Sequence, residues 1–232
     1  MSTKKLNQYK GRLTPGQIAE GINAASRNAL RLAEDAALLL ANKRFPSASS
    51  LAVLSIEEAG KASILRYLSV AKSDKEVSDC WREYRSHTRK NVMGGLLDVF
   101  ARGARKLDDF IEPFAKDAEH PYLLDQLKQI GFYSDCLGAA HWSEPEAVID
   151  EALAKQLVRT AEVLARSKET SRTEIELWVK HLAPVWNQDP GWMRKALENW
   201  YEDMQKHGLA PEGENAMRVF IRDGVSAKDR KP

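Results

Sequence analysis

Residues 14–43, TPGQIAEGINAASRNALRLAEDAALLLANK, read as one long helix that needs partners. Thr14 can cap it, Pro15 suits the first helical position because no intrahelical partner awaits its missing N–H, and Gln17 can close a capping box. Ile18, Ile22, Ala25, Ala29, Leu32, Ala36 and Leu39 then recur at alternating steps of four and three, which draws an apolar stripe down one face. Pro46 breaks the pattern, and the following segments offer matching faces. A second helix is expected over about residues 47–71, with Leu51, Leu54, Leu65 and Leu68 on a stripe that Glu58 and Lys61 interrupt. A third pattern over about 75–100 carries Val77, Trp81, Tyr84, Thr88, Val92 and Val99, with Gly94 and Gly95 weakening its middle.

Residues 101–121 are rich in charge and read as a connector. Beyond them helices are expected up to about Cys136, over 145–168, over 171–186 and over 190–207, and the segment from Leu209 onward reads as a flexible tail. No segment alternates with period two for long enough to make a strand, so the fold class is all-α, an antiparallel helical bundle with additional C-terminal helices. Trp178, Trp186, Trp192 and Trp200 recur near helical spacing, which suits helix packing or an aromatic platform for bases.

The chain of 232 residues, 43% hydrophobic and 29% charged, can bury a sizeable core unaided. A net charge of +2 means that any attraction for nucleic acid must come from local clustering. Cys80 and Cys136 lie far apart without a CxxC partner, which argues against a zinc site or a disulfide framework. No signal-type apolar stretch opens the chain, and no run approaches the roughly 18 apolar residues of a membrane span. A cytoplasmic location without membrane attachment is therefore expected.

Chemistry, if present, points to histidine, the side chain that gives and takes protons near neutral pH. His87 stands apart because residues 82–106 hold seven Lys or Arg against two acids, Glu83 and Asp98. That stripe is either a solvated basic face or the footprint of a phosphate backbone. Arg82 and His87, five apart, cannot both face one ligand on a regular helix. A bend, or a second copy meeting about a two-fold axis, would be needed to combine them. Glu57 and Lys61 read as a surface pair at i and i+4, whereas Glu58 falls on the apolar stripe and must be paired if buried, either orienting His87 or an arginine or forming a structural ion pair. The chain lacks HExxH, Glu-x-x-His, P-loop and G-x-S-x-G patterns, so no metal or cofactor is expected.

Three stretches carry a resemblance: SLAVLSIEEAGKASIL (50–65), REYRSH (82–87) and KQIGFYSDCLGAAHWSEP (128–145). Together they resemble the AbiV abortive-infection proteins of the HEPN superfamily, whose helical RNases and toxins carry an arginine and a histidine with four to six residues between them. The resemblance implies a bundle over 15–145, and the residues outside it read as an arm (1–14), a helical extension (146–208) and a tail (209–232). It also implies a homodimer whose paired Arg82 and His87 cleave RNA without metal in phage defence, with a phage-encoded activator as a further partner. Arg82 would bind phosphate and His87 act as acid or base. Supporting or RNA-binding roles fall to Glu58, Lys61, Glu83, Tyr84, Arg85, Arg89, Lys90, Asn91, Tyr133 and Asp135. Glu83 stands where relatives often have Asn, Asp or His, and Arg89 stands where a nucleotidyltransferase-regulated subgroup has tyrosine. The alternative is a non-catalytic RNA- or protein-binding factor of the same fold.

Overall fold

The structure, a computed structural model, describes residues 7–96, 99, 102–110 and 118–224, and expectations for other positions lie outside it. Its elements are α1 (Pro15–Ala41), α2 (Phe45–Val70), α3 (Asp74–Arg85), α4 (His87–Lys90), α5 (His120–Phe132), a hairpin of β1 (Cys136–Leu137) and β2 (His141–Trp142), α6 (Pro145–Val148), α7 (Glu151–Ala165), α8 (Arg172–Leu182), α9 (Pro190–Lys206) and α10 (Ala216–Arg222). The all-α reading holds.

Helix α1 starts as its sequence dictates: Gln17 N donates to Thr14 Oγ1 at 3.3 Å and Thr14 N to Gln17 Oε1 at 2.9 Å. Its stripe from Ile18 through Ala36 is buried against α2, which returns after a tight turn through Lys43 at φ 58°. One end of this pair holds Ile18 and Ile22 against Ile64, Leu65, Leu68, Trp81 and Ile175. The other end is built from smaller groups, Ala29, Ala33 and Ala36 on Ala48, Ala52, Val53 and Ile56, where α7 adds Leu157, Val158 and Ala161. Small side chains bring the helices close enough for Ser55 Oγ to donate to Ala29 O at 2.7 Å. A side chain of the size of Ile56, fully buried here, contributes about 1.5–3 kcal/mol. A third cluster packs Val70, Leu182 and Ala196 with Trp178, Trp186 and Trp200, which places these tryptophans in helix packing and leaves Trp192 exposed.

Several expectations are corrected. The helix expected over 75–100 stops at Arg85, because Ser86 is extended (φ −80°, ψ 129°) and the chain restarts as α4 followed by a 3-10 turn, Asn91–Gly94. Helix α5 ends at Phe132, and beyond it two short strands pair in the register Cys136↔Trp142 and Leu137↔His141, turned by Gly138 and Ala140 with positive φ. The helix expected over 145–168 divides at Asp150, whose carboxylate accepts from Leu153 N at 2.8 Å and caps α7 while Ile149 beside it is buried. Because α7 shares the small-residue cluster with α1 and α2, the packing unit continues past the expected boundary at 145. The tail does not begin at Leu209: Asn215 caps α10, and Arg222 donates to both oxygens of the buried Glu198 at 2.9 and 3.0 Å. Burial would raise the Glu198 carboxyl, but Arg222, Lys195 and Arg218 together outweigh this and hold it below the usual range. Among the described residues no helix is long and apolar enough to cross a membrane.

The break at Ser86 turns α4 onto α2 at Gly60, where a Cβ would stand 2.1 Å from Lys90 O. Gly60→Ala is expected to destabilise the protein by about 1–3 kcal/mol through that clash, measured by urea denaturation, whereas Gly138→Ala, with open space around it, costs only the strain of its left-handed backbone.

Candidate functional site

Helix α2 meets α4 and α5 around Glu57 and Gly60, with the buried Ile56 beside them. Glu57, 2% exposed, therefore enters an apolar contact with a negative charge that needs partners. Three arrive from other segments. His87 Nδ1 lies 2.7 Å from Glu57 Oε2, Lys128 Nζ donates to Oε1 at 2.8 Å, and Lys90 Nζ stands 3.5 Å from Oε2. Lys128 also donates to Asp125 Oδ1 at 2.7 Å, one turn earlier on α5. Two ammonium groups thus balance two carboxylates.

The surrounding backbone is shaped to hold this cluster. Ser50 Oγ lies 3.0 Å from Pro46 O and 3.2 Å from Lys128 O, and a Cβ on Gly131 would stand 2.3 Å from that hydroxyl. Lysine and glycine three apart on α5 therefore act together: Gly131 lets α5 approach α2, and Lys128 reaches Glu57. Burial pushes the Lys90 ammonium down, more than Glu57 restores. Burial acts the same way on Lys128, but the hydrogen bonds it donates to Asp125 and Glu57, with their charges, prevail and its ammonium moves up.

An ionised carboxylate only accepts hydrogen bonds, so the Glu57 contact places the proton of a neutral His87 on Nδ1 and leaves the lone pair on Nε2. The imidazole side chain is 56% exposed. The buried carboxylate thus fixes the ring, and Nε2 is its remaining hydrogen-bond acceptor.

The structure redistributes the other candidates. Glu58, expected to be the buried carboxylate, pairs with Lys61 at 2.5 Å, and the buried one is Glu57, expected at the surface. Helix α2 is buried on more than one side, so the Leu54 and Leu65 stripe gave the wrong face. Lys90 and Asn91 are buried rather than displayed to phosphate, and Asn91 donates to Pro121 O at 3.4 Å. Arg82, with a 72% exposed side chain, pairs with Asp79 at 2.7 Å and joins none of the Glu57 contacts. Tyr84 packs edge-on against Trp81 with Lys61 over its ring, and Arg85 covers Trp81. Glu83 is half-buried at the end of α3, and Arg89 falls on α4 with its side chain outside the described set. Tyr133 is exposed, while Asp135 organises the hairpin, accepting from Cys136 N at 2.7 Å. Both line a groove of about 530 Å³ that Asp125 also borders, so they reach the cluster only through that residue.

Sequence reasoning missed Glu57, Lys128 and Asp125 as site residues. The signal was present in the paired glutamates ahead of Gly60 and in the three-residue step from Lys128 to Gly131. Glu57, His87 and Asp125 offer ligand atoms within 4.8 Å of one another. A divalent ion there would have to displace the Lys128 ammonium from both carboxylates.

Residues 17–166 match the family model described as AbiV (HEPN_AbiV), a span that runs from the start of α1 to the end of α7. No curated protein and no solved structure matches the chain.

Removing the Glu57 charge strands two buried ammonium groups, so Glu57→Gln is expected to cost about 3–5 kcal/mol. Glu58→Gln, at a pair that keeps some solvent exposure and strands one ammonium group rather than two, should cost less, about 1–2 kcal/mol. Urea denaturation of both variants decides between them, and the reverse order would return the structural role to Glu58.

Proposed function

The chain belongs to the AbiV family of abortive-infection HEPN proteins, and on that premise we propose that it is a metal-independent endoribonuclease whose reacting base is His87. The observation that carries this reading is the 2.7 Å pair between His87 Nδ1 and the buried Glu57. It supports a half-exposed imidazole held with Nε2 ready to accept a proton, at the centre of the family's matched segment.

In the reaction, His87 Nε2 takes the proton of a ribose 2′-hydroxyl, and the freed oxygen attacks the adjacent phosphorus. The bond to the 5′-oxygen of the next nucleotide breaks, that oxygen receives a proton from a second imidazolium, and a 2′,3′-cyclic phosphate remains. The second imidazolium comes from the partner subunit's His87 in a two-fold dimer, whose two Arg82 side chains stabilise the charge on phosphorus. Within one protomer Arg82 is held by Asp79, an exposed pair that a phosphate can replace at low cost. Cleavage of cellular RNA would halt translation and so limit a phage, with a phage product as activator. The same Asp79 pair, remote from the Glu57 contacts, is the observation that favours the second reading, a non-catalytic factor that docks through its basic face.

Purified protein incubated with bacterial RNA in excess EDTA is expected to leave 2′,3′-cyclic phosphate ends, and His87→Ala to leave none. Glu57→Gln, where folded, should cut about 10²–10⁴-fold more slowly, since the imidazolium loses its counter-charge. Cleavage that persists in His87→Ala would sink the assignment of the base.

A further inference from the structure

Between the N-terminal arm and the C-terminal half of α3 lies a cavity of about 540 Å³ that takes no part in the Glu57 cluster. Lys10, Arg82 and Arg85 line it together with Gln8 and Ser86, and among the described residues no carboxylate does. The arm is fixed as its wall. Trp81 Nε1 donates to Gly11 O at 2.9 Å, Arg85 Nη2 to Tyr9 O at 2.5 Å and Arg12 Nη1 to Ala71 O at 2.7 Å. A lysine from a segment outside the bundle is thereby carried to two arginines; Asp79 already pairs with Arg82, so an anion would meet Lys10 and Arg85 beside that pair.

The chemistry of the lining says which part of a ligand it can read. Trp81 forms one side, but Tyr9 and Tyr84 meet it edge-on at 6.0 and 5.5 Å, and the Arg85 guanidinium lies 5.2 Å from its centroid. With its indole N–H already bonded and its ring covered in this way, it offers no platform for a base. What remains is positive charge and hydrogen-bond donors, which suit phosphate oxygens. Position completes the argument, because Ser86 lines the cavity and the next residue is His87.

We propose that this cavity binds a backbone phosphate of single-stranded RNA flanking the phosphate held at His87, with Lys10 as the ligand contributed by the arm. Arg82, assigned above to the cleaved phosphate, lines the cavity too and places the two phosphates side by side along one strand. The inference rests on the nuclease reading only for the identity of the strand. The site reads phosphate and not base, so it adds affinity without sequence preference.

The test uses the full chain carrying His87→Ala, which binds without cutting, and two single-stranded 12-nucleotide RNAs of unrelated sequence across a salt series. Adding Lys10→Gln is expected to lower the slope of log affinity against log salt by about 0.7. Affinity should fall about equally for both RNAs and for a single-stranded DNA of the same length. Lys155→Gln, an exposed lysine on α7 paired with Glu151, serves as the control and should change neither quantity. Equal slopes for Lys10→Gln and its parent, a loss confined to one sequence, or a parent that binds no RNA at low salt would overturn the proposal. Wild type that shows the Lys10-dependent slope yet never cleaves would instead remove the nuclease and leave the phosphate site standing.

Discussion

Glu57 takes a carboxylate into the centre of the bundle, and two segments distant from it in sequence must converge on it before that burial is tolerable. His87 comes from α4, Lys90 from its last residue, and Lys128 from α5, itself steadied by Asp125. An unpaired charge at 2% exposure would be expelled or neutralised. Ion pairing of this kind is a poor source of net stability, because desolvation offsets most of the Coulomb gain. Its structural value lies in geometry: only one placement of α4 and α5 satisfies all the charges, so the cluster fixes where His87 stands.

Close approach makes the convergence possible. Gly60 admits the carbonyl of Lys90, and Gly131 admits Ser50 and the carbonyl of Pro46, each at a distance that a Cβ would forbid. The alanines of α1 and α2 do the same at the far end of the pair, where α7 fills the remaining groove. The packing that positions the histidine and the packing that stabilises the core thus both rest on small residues, set around the buried cluster of Glu57, Lys90 and Lys128.

The break at Ser86 separates two surfaces that a continuous helix would have merged. On one side α3, with Trp81 and Arg85, binds the arm and presents Lys10 and Arg82. On the other, α4 delivers His87 to Glu57. His87 and the basic groups of the cavity therefore lie next to each other in the chain, each side with its own carboxylate, the buried Glu57 at His87 and the half-buried Asp79 at Arg82.

Much of this was legible in the residues themselves. The capping box at Thr14, the stripe from Ile18 to Ala36, the all-α class and the family motifs all depend on local periodicity and short-range hydrogen bonds, which a sequence states directly. The break at Ser86 and the docking of α10 on Glu198 were not legible, because each is settled by a partner far along the chain, whereas the division at Asp150 rests on a local cap that periodicity overran. Glu57 and Glu58 show the limit most sharply. They are adjacent and chemically identical, and periodicity assigned burial to Glu58 on the strength of Leu54 and Leu65. Only the tertiary structure decided for Glu57, because a helix buried on several sides has no single stripe, and the face that receives a charge is chosen by where the lysines of other segments can reach it.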